Sequence, residues 1–256
     1  MRVSSLSRFL LLGLVVLLAA CQPLALAPPT ETATPLPSST STATPVWFPP
    51  TVTPTLADTP LPPTATPQPP SGLGPVLIQD DFSTHKFWQT GRMYAGNIAY
   101  GSKELTLAVA QAKGSLQSLR DQTILTDFYL QITITPNLCQ ENDVYGILFR
   151  VAGSNFYRFL LSCAGQMRLE RMLNGQGALL QDWTYSPLLT SGTLGARRFG
   201  IWAVGKNLRF YIDNTFQFGV TDSSLVIGTL GLYARSMNDT AETISFSDLV
   251  VYQVSP

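Results

Sequence analysis

Histidine is nearly missing from this chain: His85 is its only one. A Ser-His-Asp triad or a histidine-based metal centre would have to be built on that single side chain. It opens a loop-like stretch, His85 to Gly91, capped by Phe87 and Trp88, and reads as a loop residue. Charge is also scarce and balanced, with 16 Lys and Arg against 16 Asp and Glu. Without a basic excess, nucleic acid is not a partner, because affinity there comes mainly from phosphate neutralisation. Past residue 75 proline is rare, with only Pro136, Pro187 and Pro256 of the chain's 19. No long stretch there repeats apolar residues at a helical period, which excludes a helical bundle.

The prolines are concentrated instead in the first 75 residues, where sixteen of them lie. The chain opens MRVSSLSRFLLLGLVVLLAAC, with Arg2 and Arg8 ahead of an apolar run from Phe9 to Leu18. That run has the length of a signal peptide and is short for a spanning helix. Leu18-Ala19-Ala20-Cys21 resembles the bacterial lipobox at all four positions. The resemblance implies cleavage before Cys21, acylation of its sulfur, and a lipid bilayer as partner through that anchor. The expected location is the bacterial cell envelope, with the rest of the chain on the extracytoplasmic side. Residues 1–20 are then the signal peptide and 21–75 a tether of Thr-Pro units, carrying only Glu31 and Asp58 as charges. Such a composition favours extended polyproline II and reaches roughly 150 Å if fully extended.

Residues 76–256 are expected to fold as one domain, large enough for a substantial core. The clearest stretch is 199–235. Phe199, Ile201 and Ala203 alternate with Gly200, Trp202 and Val204, and Leu208, Phe210 and Ile212 resume after Gly205-Lys206. A two-residue turn there pairs Ala203 with Leu208, Ile201 with Phe210 and Phe199 with Ile212, core against core. At the next turn a two-residue loop would set Gln217 opposite Phe210. A three-residue loop, Asp213-Asn214-Thr215, is therefore expected, pairing Phe210 with Phe218. Similar alternation marks Phe128–Thr135, ended by Pro136, then Tyr145–Val151, Phe156–Cys163 and Gln166–Leu173. Leu179–Tyr185 reads as an edge strand, and the chain closes on Ile244, Phe246, Leu249 and Val251. Some twelve to fourteen short strands make an all-β, two-sheet antiparallel jelly-roll sandwich.

The motifs DDFS, YGILFR, NFYRFLLSCAGQMRLER, LRFYIDN, GTLGLYA and FSDLVVY together resemble the concanavalin A-like (laminin-G-like) jelly rolls. That group includes lectins, glucanases and secreted binding modules, and the resemblance covers Val76 to Val254. It implies a carbohydrate-binding module, or a hydrolase of the family-16 or 3-keto-disaccharide kind; a structural or adhesive protein binding another surface protein is the remaining alternative. Retaining family-16 enzymes carry acidic residues as E-x-D-x-E on one strand, so that period-two alternation aims two carboxylates into one cleft. Here the domain holds only Glu104, Glu141, Glu170 and Glu242, widely separated. No catalytic residue is assigned, and no organic cofactor. Relatives of this fold often hold a structural calcium between the first and last strands, for which Asp80, Asp81 and Asp248 would be the ligands.

With Cys21 assigned to lipid, Cys139 and Cys163 remain as an even pair at strand ends in an exported chain. A disulfide is expected; two buried thiols or a metal pair are the alternatives. The outward parity is the remaining clue. If Phe149, Phe159 and Leu169 point inward, Arg150, Arg158, Arg168 and Glu170 point outward together. Trp202, Arg209 and Tyr211 take the corresponding outer face of their hairpin. Rings flanked by arginines and a carboxylate suit an extracellular glycan, through C–H stacking and hydroxyl hydrogen bonds. As an ordinary solvated face, the same residues would place Trp202 over Arg209 as a cation–π pair.

Overall fold

The structure is a computed structural model that describes residues 70–189 and 195–255. The apolar run, Cys21 and the tether as far as residue 69 lie outside the described residues, while Leu73–Pro75, the last residues assigned to the tether, are part of the first strand. Chain order begins β1 (Leu73–Asp80), β2 (Gly91–Met93), β3 (Gly96–Tyr100), β4 (Leu105–Val109) and β5 (Ser115–Leu119). It continues β6 (Phe128–Leu138), β7 (Val144–Ala152), β8 (Asn155–Ser162), β9 (Gln166–Leu173) and β10 (Gln176–Tyr185). It ends β11 (Arg197–Val204), β12 (Asn207–Ile212), β13 (Thr215–Thr221), β14 (Thr229–Arg235) and β15 (Glu242–Val254).

Two antiparallel sheets result. One has nine strands in the order β13-β12-β11-β6-β15-β4-β3-β2, with β1 added against β15; the other has six, β10-β9-β8-β7-β14-β5. Crossovers such as β6 beside β15 make this a jelly-roll sandwich rather than a simple meander. Between the sheets, one continuous core runs from Phe128, Leu130, Ile132 and Ile134 to Ile147, Phe149, Phe159, Leu161 and Leu169. Phe210 stacks on Phe218 at 4.8 Å and touches Phe159 at 4.6 Å, tying the hairpin to the opposite sheet.

The 199–212 hairpin has the expected register, with Ala203 opposite Leu208, Ile201 opposite Phe210 and Phe199 opposite Ile212. The following turn differs. It has two residues, Asp213 and Asn214, both with positive φ (47° and 63°), and Ile212 pairs with Thr215. A bulge between Phe210 and Tyr211 then restores Phe210 opposite Phe218. The core pairing is kept by slipping one residue on β13 instead of lengthening the loop. Pro136 does not end β6 either, which runs on to Leu138. Pairing with β11 has stopped at Ile134, so the proline sits on a one-sided stretch, where it is tolerated.

Cys139, just past β6, is bonded to Cys163, just past β8, with Cα atoms 5.9 Å apart. The bond crosses from one sheet to the other. Glu242 lies against it, with Oε1 4.0 Å from the Cys139 sulfur. This carboxyl is fully buried, and its other oxygen has no partner among the described residues. Burial, helped by the nearby charge of Asp143, pushes its pKa up to about 9. The two sulfurs and Glu242 form a potential metal-ligand group, but the sulfurs are bonded to each other.

Candidate glycan-binding groove

The outer face of the six-stranded sheet carries a groove of about 390 Å³. Strand register explains how it is built. Arg158 on β8 stands opposite Glu170 on β9, and Leu160 stands opposite Arg168. On the other side Leu160 faces Gly146 of β7, which faces Tyr233 of β14. A Cβ at Gly146 would sit 1.9 Å from the Phe159 carbonyl oxygen, so that position must be glycine and leaves a notch in the floor. The next row along is Arg235, Val144 and Ser162. Trp183 of the edge strand β10 closes one side.

Charge pairing holds the middle of the groove together. Arg158 donates to Glu170 Oε2 through Nε at 3.1 Å and again through Nη2. Arg168 brings its Nε within 3.0 Å of Glu170 Oε1. Both guanidiniums also rest on rings, Arg158 over Tyr233 at 4.9 Å and Arg168 over Trp183 at 5.6 Å. Beneath them, Val144, Leu148, Leu160 and Tyr233 form an apolar cluster separate from the main core. The polar ladder is therefore fixed in place, with Tyr233 buried beneath Arg158 and Trp183 half-exposed at the edge of the groove.

Arg158, Arg168 and Glu170 are thus brought together where alternation placed them. Arg150 is not. Alternation predicts it outward, yet it is fully buried. Between Leu148 and Val151 β7 carries an extra residue relative to β14, and Arg150 takes φ of 50° there. The bulge turns its side chain toward the rim of the sandwich. There it donates to the carbonyls of Gly205 and Leu225, both at 2.8 Å, and of Thr126 at 3.1 Å, with Asp127 3.5 Å away. Burial draws its pKa below the usual guanidinium value. Arg150 ties three loops together, and its cost of burial is met by carbonyls rather than by a ligand.

Trp202, Arg209 and Tyr211 lie on the outer face of the other sheet, away from Arg158 and its neighbours. Tyr252, Tyr129, Trp202 and Arg209 form one row across it, and Gln131, Gly200 and Tyr211 the next. Tyr129 is fully buried between Tyr211 at 5.9 Å and Tyr252 at 6.3 Å, and burial pushes its pKa up to about 12. A Cβ at Gly200 would come within 2.7 Å of the Tyr129 hydroxyl, so glycine makes room for the ring. Arg209 covers Trp202 at 4.5 Å. These aromatics pack on one another and with Val204, Val254 and Leu73.

The three aspartates expected to hold calcium are not gathered: their oxygens do not lie within 4.8 Å of one another. Asp80 accepts from the Trp88 indole at 3.1 Å and the Phe82 amide at 2.9 Å, with Arg120 at 3.6 Å. Asp81 is taken up by Ser83, and Asp248 is exposed at a bulge of β15. His85 stacks on Tyr100 at 4.8 Å, as part of a loop.

Trp183, Tyr233, Arg235, Asn142, Ser162 and Gln166 line the groove and were missed by sequence reasoning. Tyr233 had a signal: it alternates with the inward Leu232 and Ala234, so an outward ring was foreseeable. Trp183 sits on a strand with two register shifts, where parity cannot be counted.

No protein-family model matches the chain, and no curated protein matches it. Solved structures do. A Bacillus subtilis protein of unknown function with a galectin-like fold matches with a TM-score of 0.58 at 13% identity, over 72% of this chain and 99% of that one. A Bacillus licheniformis β-glucanase matches at 0.53 and 12%, over 71% and 99%. The carbohydrate binding module CBM66 from Bacillus subtilis matches at 0.50 and 15%, over 66% and 96%. At such identities the likeness is one of fold. The described part of this chain has the two-sheet antiparallel jelly-roll fold of these structures.

Proposed function

We propose that this protein is a lipoprotein of the bacterial cell envelope, anchored through acylated Cys21, whose jelly-roll domain binds an extracellular glycan without cleaving it. The observation that carries this reading is the groove itself, where Trp183 and Tyr233 stand beside the Arg158–Glu170–Arg168 ladder. The half-exposed Trp183 ring suits the C–H face of a sugar, while Asn142, Ser162 and Gln166 along the same groove offer hydrogen bonds to hydroxyls. The fold is shared with a named carbohydrate binding module and a β-glucanase, which fits binding and hydrolysis alike. Hydrolysis needs two carboxylates flanking the scissile bond. The groove is lined by one, Glu170, and two arginines hold it, so it is ill placed to serve as acid or nucleophile.

A glycan array with the full chain, run beside a hydrolase assay on every glycan bound, tests the reading. Trp183→Ala should cut affinity more than tenfold, as central aromatic anchors commonly do, with little change in thermal midpoint. Product release from a bound glycan would establish an enzyme instead. Cys21→Ser should abolish labelling by a clickable fatty acid; labelling that persists would refute the anchor.

A further inference from the structure

The charges along the groove bear on what kind of glycan it takes. Arg158, Arg168 and Arg235 line it against the single carboxylate of Glu170, a local excess in a chain that is neutral overall. The three cations are not equivalent. Arg158 is spent on Glu170, gripping it through two nitrogens and lying on Tyr233. Arg168 forms an ion pair with Glu170, its Nε 3.0 Å from Oε1 without hydrogen-bond geometry, and its terminal nitrogens make no hydrogen bond among the described residues. Arg235 is exposed and joins no ion pair among the described residues. Register sets Arg235 one row along from Arg168 and three strands away, a lateral span of about 14 Å.

The acids that face this end of the groove do not answer these charges. Asp143, fully buried behind Arg235, already accepts from the Gln140 amide at 2.9 Å, the Met237 amide at 2.8 Å and the Asn238 side chain at 3.1 Å. Glu242 is also buried behind β14, and burial pushes its pKa up to about 9, which favours its neutral form.

We propose that the groove takes an anionic glycan, whose carboxylate or sulfate groups pair with Arg235 and the terminal nitrogens of Arg168 while a sugar ring lies against the half-exposed Trp183. A guanidinium grips such planar or tetrahedral oxyanions through two parallel hydrogen bonds. Two of them across the groove read the spacing of charges along the polymer as well as their sign. This specificity rests on the glycan-binding reading above.

Calorimetric titration of the full chain in detergent separates the two claims. The probes are oligogalacturonate, bearing carboxylates, dextran sulfate oligomers, bearing sulfates, and neutral laminari-oligosaccharides of matched length. One anionic series should bind at least about tenfold more tightly than the neutral one, and its affinity should fall as sodium chloride is raised. Arg235→Gln should remove about tenfold of that affinity, the size of one charge-assisted hydrogen bond, and weaken anionic binding more than neutral binding. The stronger of the two anionic arms identifies the group recognised. Equal binding of neutral and anionic chains, insensitive to salt, would overturn the specificity and leave glycan binding standing. No binding to any series would overturn both.

Discussion

The two outer faces of the sandwich are built from the same residue types and do opposite things. On the nine-stranded sheet, Tyr129, Tyr211, Tyr252 and Trp202 turn their rings against one another, and Arg209 lies over the last of them. On the six-stranded sheet, Trp183 and Tyr233 stand apart, separated by the bare backbone of Gly146 and a ladder of arginines. Aromatic–arginine composition therefore does not itself make a binding surface. Relief does: on the nine-stranded sheet the rings close over one another, whereas on the six-stranded sheet Tyr233 sinks beneath Arg158 and the half-exposed Trp183 stands at the edge of an open groove.

Variants on the closed face should cost stability and spare binding, and the largest effect is expected at its centre. Tyr129→Ala removes a fully buried ring whose hydroxyl accepts from Gln131 at 3.1 Å. It should destabilise the domain by about 3–5 kcal/mol in chemical denaturation, with glycan affinity unchanged in the folded fraction. Trp202→Ala, at the half-exposed margin, should cost only about 1–2 kcal/mol. A loss of affinity in Trp202→Ala, matching that of Trp183→Ala, would mean that the closed face binds too.

Arg150 sharpens the same comparison, since alternation assigns it to a ligand face and the bulge removes it. Arg150→Met would leave the carbonyls of Gly205, Leu225 and Thr126 without their donor. Stability should fall by roughly 3 kcal/mol, with affinity intact. A stable variant that has lost binding would return Arg150 to the site.

A pH-dependent effect concerns the buried carboxyl behind the groove. The folded pKa of Glu242, about 9, lies above the ordinary carboxyl value of 4.5. Between these values the unfolded chain has released a proton that the folded chain keeps, so stability falls as pH rises through that window. Glu242→Gln should abolish this part of the pH dependence: no gain below pH 4.5, and a growing gain toward pH 9. Thermal midpoints across that range measure it. Parallel curves for variant and wild type would show that Glu242 does not titrate as its burial requires.

Much of this architecture follows from alternation alone. Period-two patterning is local, so it sorted Phe149, Phe159 and Leu169 to the core, Arg158, Arg168 and Glu170 to the outside, and β11 against β12 in the right register. Two cysteines at strand ends sufficed for the bond between Cys139 and Cys163. Tertiary structure decided the rest, because parity says which side of a sheet a residue takes but not which sheet. Trp202 and Arg158 are both outward, yet they lie on different sheets of the sandwich. Bulges break the count as well. One extra residue near Arg150 buries a charge that carbonyls from three loops could satisfy, and another on β13 saves the pairing of Phe210 with Phe218. The groove exists because pairings between strands far apart in the chain, above all β7 with β14, set Tyr233 and Arg235 beside the consecutive strands β8 and β9. Those pairings are won by burying the core between the sheets, an energy that belongs to the whole domain and is written in no short stretch of it.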